Sequence, residues 1–205
     1  MQLDSSGVKA HWVRFAMADK ILFIEGSDQS RYLNDWRKGF ETLLRNAGLL
    51  KLPRIIACYG RDKAIDEYKK ELGRNEKEVL LLVDLDAPEN QKQTVLSEKG
   101  LTKHTKTVFF SIQEIEAWIL SQPEVLDVFF GKGKNGELAS RKLTLKHPSL
   151  FADPKLELKR ITKGTKRGIY QDSVHGPVLL QKLDSKILTN AFPSEFGRLV
   201  DYLSK

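Results

Sequence analysis

The chain has 205 residues, 40% hydrophobic and 30% charged with seven prolines, a balance that suits a folded domain with a helical extension and excludes a disordered or fibrous chain. A formal net charge of +7 favours an anionic partner, and nucleic acid is the commonest one for a basic protein. The single cysteine, Cys58, excludes an intramolecular disulfide and a thiolate zinc site, which suits a reducing, cytoplasmic setting, and no run approaches the ~20 apolar residues of a membrane span.

Residues 1–17 read as a polar prelude. From Lys20 to Glu25 a short apolar run closed by Gly26 suits a buried strand. Ser27, Asp28 and Ser30 then offer caps to a helix whose Tyr32, Leu33, Trp36, Phe40, Leu43 and Leu44 recur at helical spacing until Gly48. A second strand is expected over Arg54–Tyr59, followed by a helix carrying Ala64, Ile65, Tyr68 and Leu72 ahead of Gly73. The third strand, Val79–Val83, is the most hydrophobic and runs into Asp84-Leu85-Asp86. A polar loop with a short helix spans Glu89–Lys103, and Thr107–Phe110 gives a fourth strand. Ser111 and Glu114 stand at capping-box spacing, so a helix is expected to begin there, with another from Pro123 to Gly131.

Beyond Gly131 the chain turns basic. Gly131–Pro148 reads as a long loop or hairpin, and Asp153-Pro154 as a cap and first-turn proline opening a helix through Leu156, Leu158 and Ile161. Lys163–Gly168 is a basic loop, and Val178–Lys182 and Phe196–Leu203 are closing helices, the last capped near Ser194. His175, beside Gly176-Pro177, reads as a helix-start residue. Alternating strands and helices imply an α/β fold of Rossmann-like type: a mostly parallel four-stranded sheet with helices on both faces over residues 18–130, and a basic, mainly helical extension over residues 131–205 packed on it.

In an open parallel sheet, functional groups gather at the carboxyl ends of strands beside a switch in strand order. Acids occupy those positions here: Glu25 ends the first strand, Asp84 and Asp86 the third, and Glu116 lies early in the helix after the fourth. Asp84 and Asp86 stand two apart in what reads as still extended chain, so both side chains leave one face of the strand, about 6–7 Å apart. Taken singly, each acid also fits a solvent-facing strand end, a turn or a helix surface. Four together call for a counter-ion such as Mg²⁺ or Mn²⁺, because clustered buried charges are costly. There is no GxxxxGK[ST] phosphate loop, no GxSxG elbow and no histidine pair at metal-ligand spacing.

The order and spacing of Phe23-Ile24-Glu25-Gly26, the run Pro53–Arg61, Leu82-Val83-Asp84-Leu85-Asp86 and Ile115-Glu116-Ala117-Trp118 resemble the bacterial domain of unknown function family 4276. That family is itself similar to TOPRIM domains of topoisomerases, primases and overcoming-lysogenization-defect nucleases. The resemblance implies a metal-dependent nuclease acting on DNA or RNA, with Asp84, Asp86 and Glu116 as ligands of Mg²⁺ or Mn²⁺ and Glu25 as ligand or proton-transfer group. It also implies phosphate contacts from Arg61, Lys163, Lys166 and Arg167, a place in phage defence or a mobile element beside a separate ATPase, and self-association as an option. The alternative expectation is a non-catalytic nucleic-acid-binding or regulatory partner of an ATPase.

Overall fold

The computed structural model describes residues 20–74 and 77–205; the prelude lies outside them. The described elements run β1 (Lys20–Glu25), α1 (Ser30–Asn46), β2 (Arg54–Cys58), α2 (Gly60–Leu72), β3 (Glu78–Asp84), α3 (Lys92–Glu98) and β4 (Val108–Ser111). They continue through α4 (Glu116–Leu120), α5 (Pro123–Phe130), α6 (Pro154–Thr162), α7 (Asp172–Leu180), α8 (Ser185–Ala191) and α9 (Arg198–Leu203). Among the described residues the strands form one parallel sheet in the order β2-β1-β3-β4.

The α/β architecture with a four-stranded parallel sheet is therefore as the apolar runs predict. Period-two alternation divides the core. Leu22, Ile24, Leu80, Leu82 and Phe109 face α1 and the cluster that also takes Trp118, Phe192, Phe196 and Leu199. Ile21, Phe23, Val79, Leu81, Val83, Val108 and Phe110 face α2 and α3, against Ile65, Tyr68 and Leu96. Strands buried on both faces show no polar alternation, which explains why each reads as a continuous apolar run.

The strand order matters for the site. From β1 the chain crosses to β2 on one side, then returns to β3 on the other side of β1. The switch point thus falls between β1 and β3, where their carboxyl ends carry Glu25 and Asp84.

Two local expectations need correction, and the loop-or-hairpin alternative beyond Gly131 resolves to a loop. The Ser111–Glu114 spacing does not open a helix: Ser111 ends β4, Gln113 turns the chain with φ +61°, and α4 begins at Glu116. The Ser111 hydroxyl is committed to Asp84, and Glu114 accepts the backbone N–H of Lys155 at 3.2 Å, so neither side chain serves a cap. The segment after Gly131 holds two short 3₁₀ turns, at Ser140–Lys142 and Pro148–Leu150, and no strand, although Gly133 N–H bonds to the Glu137 carbonyl in a tight turn. Ser194 caps nothing; it lies in a π-helical turn, Pro193–Gly197, that leads into α9. By contrast Asp153 caps α6 by accepting from Leu156 N–H at 2.6 Å, and His175 Nδ1 reaches back to the Gln171 N–H at the start of α7.

Helix α7 lies close against α1. A Cβ added at Gly39 would meet the Pro177 carbonyl oxygen at 2.8 Å and its Cα at 3.3 Å, so the two backbones approach only because Gly39 has no side chain. Gly39→Ala is expected to destabilise the fold by about 1–3 kcal/mol through overpacking, read as a lower melting temperature. A variant that melts with the wild type would show that the pair separates freely.

Candidate active site

At the switch point a cavity of about 230 Å³ is lined by Glu25, Asp84 and Glu116, with Ser111, Trp36, Phe40, Lys155, Asp172 and Ser173 around them. Three elements far apart in sequence supply the acids: the ends of β1 and β3, and the first residue of α4. The sharp turn at Gln113 drops α4 onto the sheet edge, so Glu116 points inward and is only 2% exposed.

Hydrogen bonds fix each acid. Glu25 Oε2 accepts the Asp84 N–H at 3.1 Å, which couples β1 to β3. Asp84 Oδ1 accepts from the Ser111 hydroxyl and from Ile115 N–H at 2.9 Å. Glu116 Oε1 accepts from the Tyr170 hydroxyl at 3.1 Å, whereas its Oε2 is buried without a partner. An unsatisfied buried carboxylate oxygen is expensive in isolation and marks a place for a ligand.

The electrostatics agree. Burial, reinforced by the charges of Glu25 and Glu116, raises Asp84 well above the usual carboxylate range. Burial also raises Glu25, and it pushes Glu116 up to about 7 although Lys155 opposes the shift. Burial works against the Lys155 ammonium, but Glu116, Glu114, Asp172 and Asp84 outweigh it and hold the charge firmly in place. The Lys155 Nζ pairs with Glu114 Oε1 at 3.4 Å and Asp172 Oδ2 at 3.7 Å.

The remaining expected site residues lie elsewhere. Asp86 is not in extended chain: its φ is +52°, its side chain is exposed, and its Oδ2 pairs with Arg61 at 2.6 Å. The shared-face geometry expected for Asp84 and Asp86 therefore fails, because β3 ends at Asp84 and the chain turns. Asp86 does not line the cavity, though its charge reaches Glu25 and Asp84. Arg61 also donates to the Leu85 carbonyl at 3.2 Å. Lys163, Lys166 and Arg167 are exposed and off the cavity, and Arg167 stacks on Phe129 at 4.2 Å while donating to its carbonyl at 2.8 Å.

Sequence reasoning missed Lys155, Ser111 and Trp36 as cavity residues. Lys155 was hidden among many cations, although the Asp153-Pro154 signal already placed it in the first turn of a helix. Trp36 sits on the apolar stripe of α1 and carries no signal of its own.

Mg²⁺ and Mn²⁺ take about six oxygen ligands and keep several waters, and carboxylates suit both. The unpartnered Glu116 oxygen beside Glu25 and Asp84 offers that donor chemistry. Among the described residues no three His, Cys, Asp or Glu side chains stand as a ready ligand shell, so the acids line the cavity without closing on one point.

The family model for the domain of unknown function DUF4276 matches residues 37–204, and the chain belongs to that family. No curated protein and no solved structure gives a significant match. Among the described residues no helix is long and apolar enough to cross a membrane.

Proposed function

We propose that this protein hydrolyses phosphodiester bonds of DNA or RNA with a divalent cation, Mg²⁺ or Mn²⁺, held by Glu25, Asp84 and Glu116. The observation that carries the reading is the unpartnered oxygen of Glu116 in a cavity shared with two further acids at the switch point of the sheet. When bound, such a cation polarises a phosphoryl oxygen and lowers the pKa of water. Glu25 serves as a ligand or, with its proton affinity raised by burial, takes the proton of the attacking water. Ser111 and the Ile115 N–H hold Asp84 in one orientation, and Tyr170 does the same for Glu116.

Asp86, paired with Arg61 outside the cavity, is not among the ligands of this reading. Lys163, Lys166 and Arg167, off the cavity, serve flanking phosphates of a longer nucleic acid. The TOPRIM-like order of Glu25 and Asp84-Leu85-Asp86 supports the same class of chemistry, and a defence or mobile-element role beside an ATPase extends it.

A second reading, a non-catalytic nucleic-acid-binding or regulatory partner, is favoured by one observation: the Lys155 ammonium already gives the buried acids a positive neighbour. The test is incubation of the protein with mixed single- and double-stranded DNA and RNA, tRNA included, in Mn²⁺, Mg²⁺ or EDTA. The expected result is cleavage with metal and none in EDTA. Binding without cleavage in every buffer, with candidate ATPases added, would establish the second reading instead.

A further inference from the structure

Among the described residues two buried side-chain polar atoms lack a hydrogen-bond partner, Glu116 Oε2 and the Trp36 indole Nε1, and both residues line the same cavity. One is an acceptor without a donor; the other is a donor without an acceptor. Trp36 is only 5% exposed on the inner face of α1, so bulk water does not satisfy its N–H. Buried donors are almost always bonded, and two orphans of opposite sense in one cavity describe a ligand with both polarities.

Lys155 belongs with Trp36. Lys155 lines the cavity, and the two ion-pair distances of its Nζ, 3.4 and 3.7 Å, are longer than the 2.7–2.9 Å of a good charge-assisted hydrogen bond, so its protons are still on offer. The cavity therefore has an acidic half, Glu25, Asp84 and Glu116, and a donor half, Trp36 and Lys155. One glycine sets both halves: a Cβ at Gly176 would meet Trp36 Cη2 and the Tyr170 hydroxyl each at 3.0 Å, and Tyr170 is the group that orients Glu116.

A ligand that fits both halves brings anionic oxygens next to a divalent cation. Phosphate does so, and the cations expected from sequence to grip it, Arg61, Lys163, Lys166 and Arg167, do not line this cavity. We infer that Trp36 Nε1 and Lys155 Nζ form an anion subsite that holds the non-bridging oxygens of the reacting phosphate. This rests on the proposed function and adds the groups that bind the substrate there. Trp36 donates a fixed, uncharged hydrogen bond from a rigid ring, and Lys155 adds charge.

The test titrates inorganic phosphate into the full chain preloaded with Mn²⁺, following heat and the broadening of the phosphorus resonance by the bound ion, with Mn²⁺ affinity measured separately. Trp36→Phe keeps most of the apolar ring and removes only the donor. It is expected to weaken phosphate by about tenfold or more, in line with a hydrogen bond to a charged group, while Mn²⁺ affinity changes less than about twofold. Lys155→Met is expected to weaken phosphate as well, and it stands in if Trp36→Phe does not fold. Unchanged phosphate affinity in a folded variant would overturn the inference, the orphan N–H then belonging to a trapped water. So would a wild type that binds Mn²⁺ and no phosphate. Absence of Mn²⁺ binding counts against the proposed function alone, because phosphate titrated without metal still reads the subsite. Binding weakened by Trp36→Phe then supports it, and no binding overturns it.

Discussion

Asp84→Asn is expected to lower metal-dependent cleavage by about a thousandfold or more and, in metal-free buffer, to raise the melting temperature. The two signs come from one cause. Asp84 is placed where burial and the charges of Glu25 and Glu116 oppose its ionisation, so its folded pKa is raised. A carboxyl of that kind takes up a proton on folding, and stability falls as the pH rises above its ordinary 3.8. Its charge is a burden that a proton, the nearby Lys155 ammonium or a bound cation offsets. Asparagine retains an oxygen to accept from Ser111 and Ile115 and carries no charge. Relief of such a site is expected to yield about 0.5–2 kcal/mol, or roughly 1–8 °C in a chain of this size. The measurement is a pair of melting curves in EDTA beside a cleavage assay in Mn²⁺. Joint loss of stability and cleavage would make Asp84 a structural residue, and cleavage at the wild-type rate would remove it from the mechanism.

The sheet was legible because its strands are buried on both faces and punctuated by glycine. Leu22 to Ile24 and Leu80 to Val83 have no polar interruption, which only a doubly covered strand tolerates, and Gly26, Gly48 and Gly131 mark turns the apolar pattern alone would not place. What composition does not encode is which hydroxyl or carboxylate a turn will use. Ser111 and Glu114 carry a capping-box spacing, yet tertiary partners outbid the cap, since Asp84 takes the hydroxyl and the Lys155 backbone takes Glu114. The same spacing serves both outcomes until the fold brings β3 and α6 alongside.

Glu25, Asp84 and Glu116 were legible as a group because the parallel-sheet rule brings strand ends together without knowledge of side-chain contacts. Asp86 was misplaced because its position relative to Asp84 depends on one backbone angle, a φ of +52° in the left-handed region, which aspartate enters more readily than most residues and which an apolar strand pattern does not announce. The donor half was illegible for a different reason. Trp36 looks like any other apolar position of α1, and Lys155 like any other cation in a basic stretch. Their significance lies in unmet or lengthened hydrogen bonds, which exist only once the chain is folded.

Glu195→Gln is expected to stabilise the protein at pH 8 and to leave it nearly unchanged at pH 5. Glu195 lies in the π-helical turn before α9, 6% exposed, and its Oε2 accepts from Ile112 N–H at 2.8 Å and Trp118 Nε1 at 3.3 Å. It thus ties the exit of β4 to α4, the helix that begins with Glu116. Burial pushes its pKa from 4.5 up to about 7 against the lowering effect of those two donors, with Glu89 raising it further and Lys92 opposing. A carboxyl whose folded pKa lies above its unfolded value binds a proton on folding, so its contribution is complete below about 4.5 and is lost as the pH rises to about 7. At about 1.4 kcal/mol per unit the loss is roughly 3 kcal/mol, which glutamine avoids while still offering an oxygen to Ile112 and Trp118. Other buried acids titrate in the same window, so the decisive quantity is the difference between variant and wild type as a function of pH. That difference should open between pH 5 and 8 in favour of glutamine. A constant difference across the range, or a variant less stable than the wild type at pH 8, would mean that Glu195 is ionised and well paired in the folded protein.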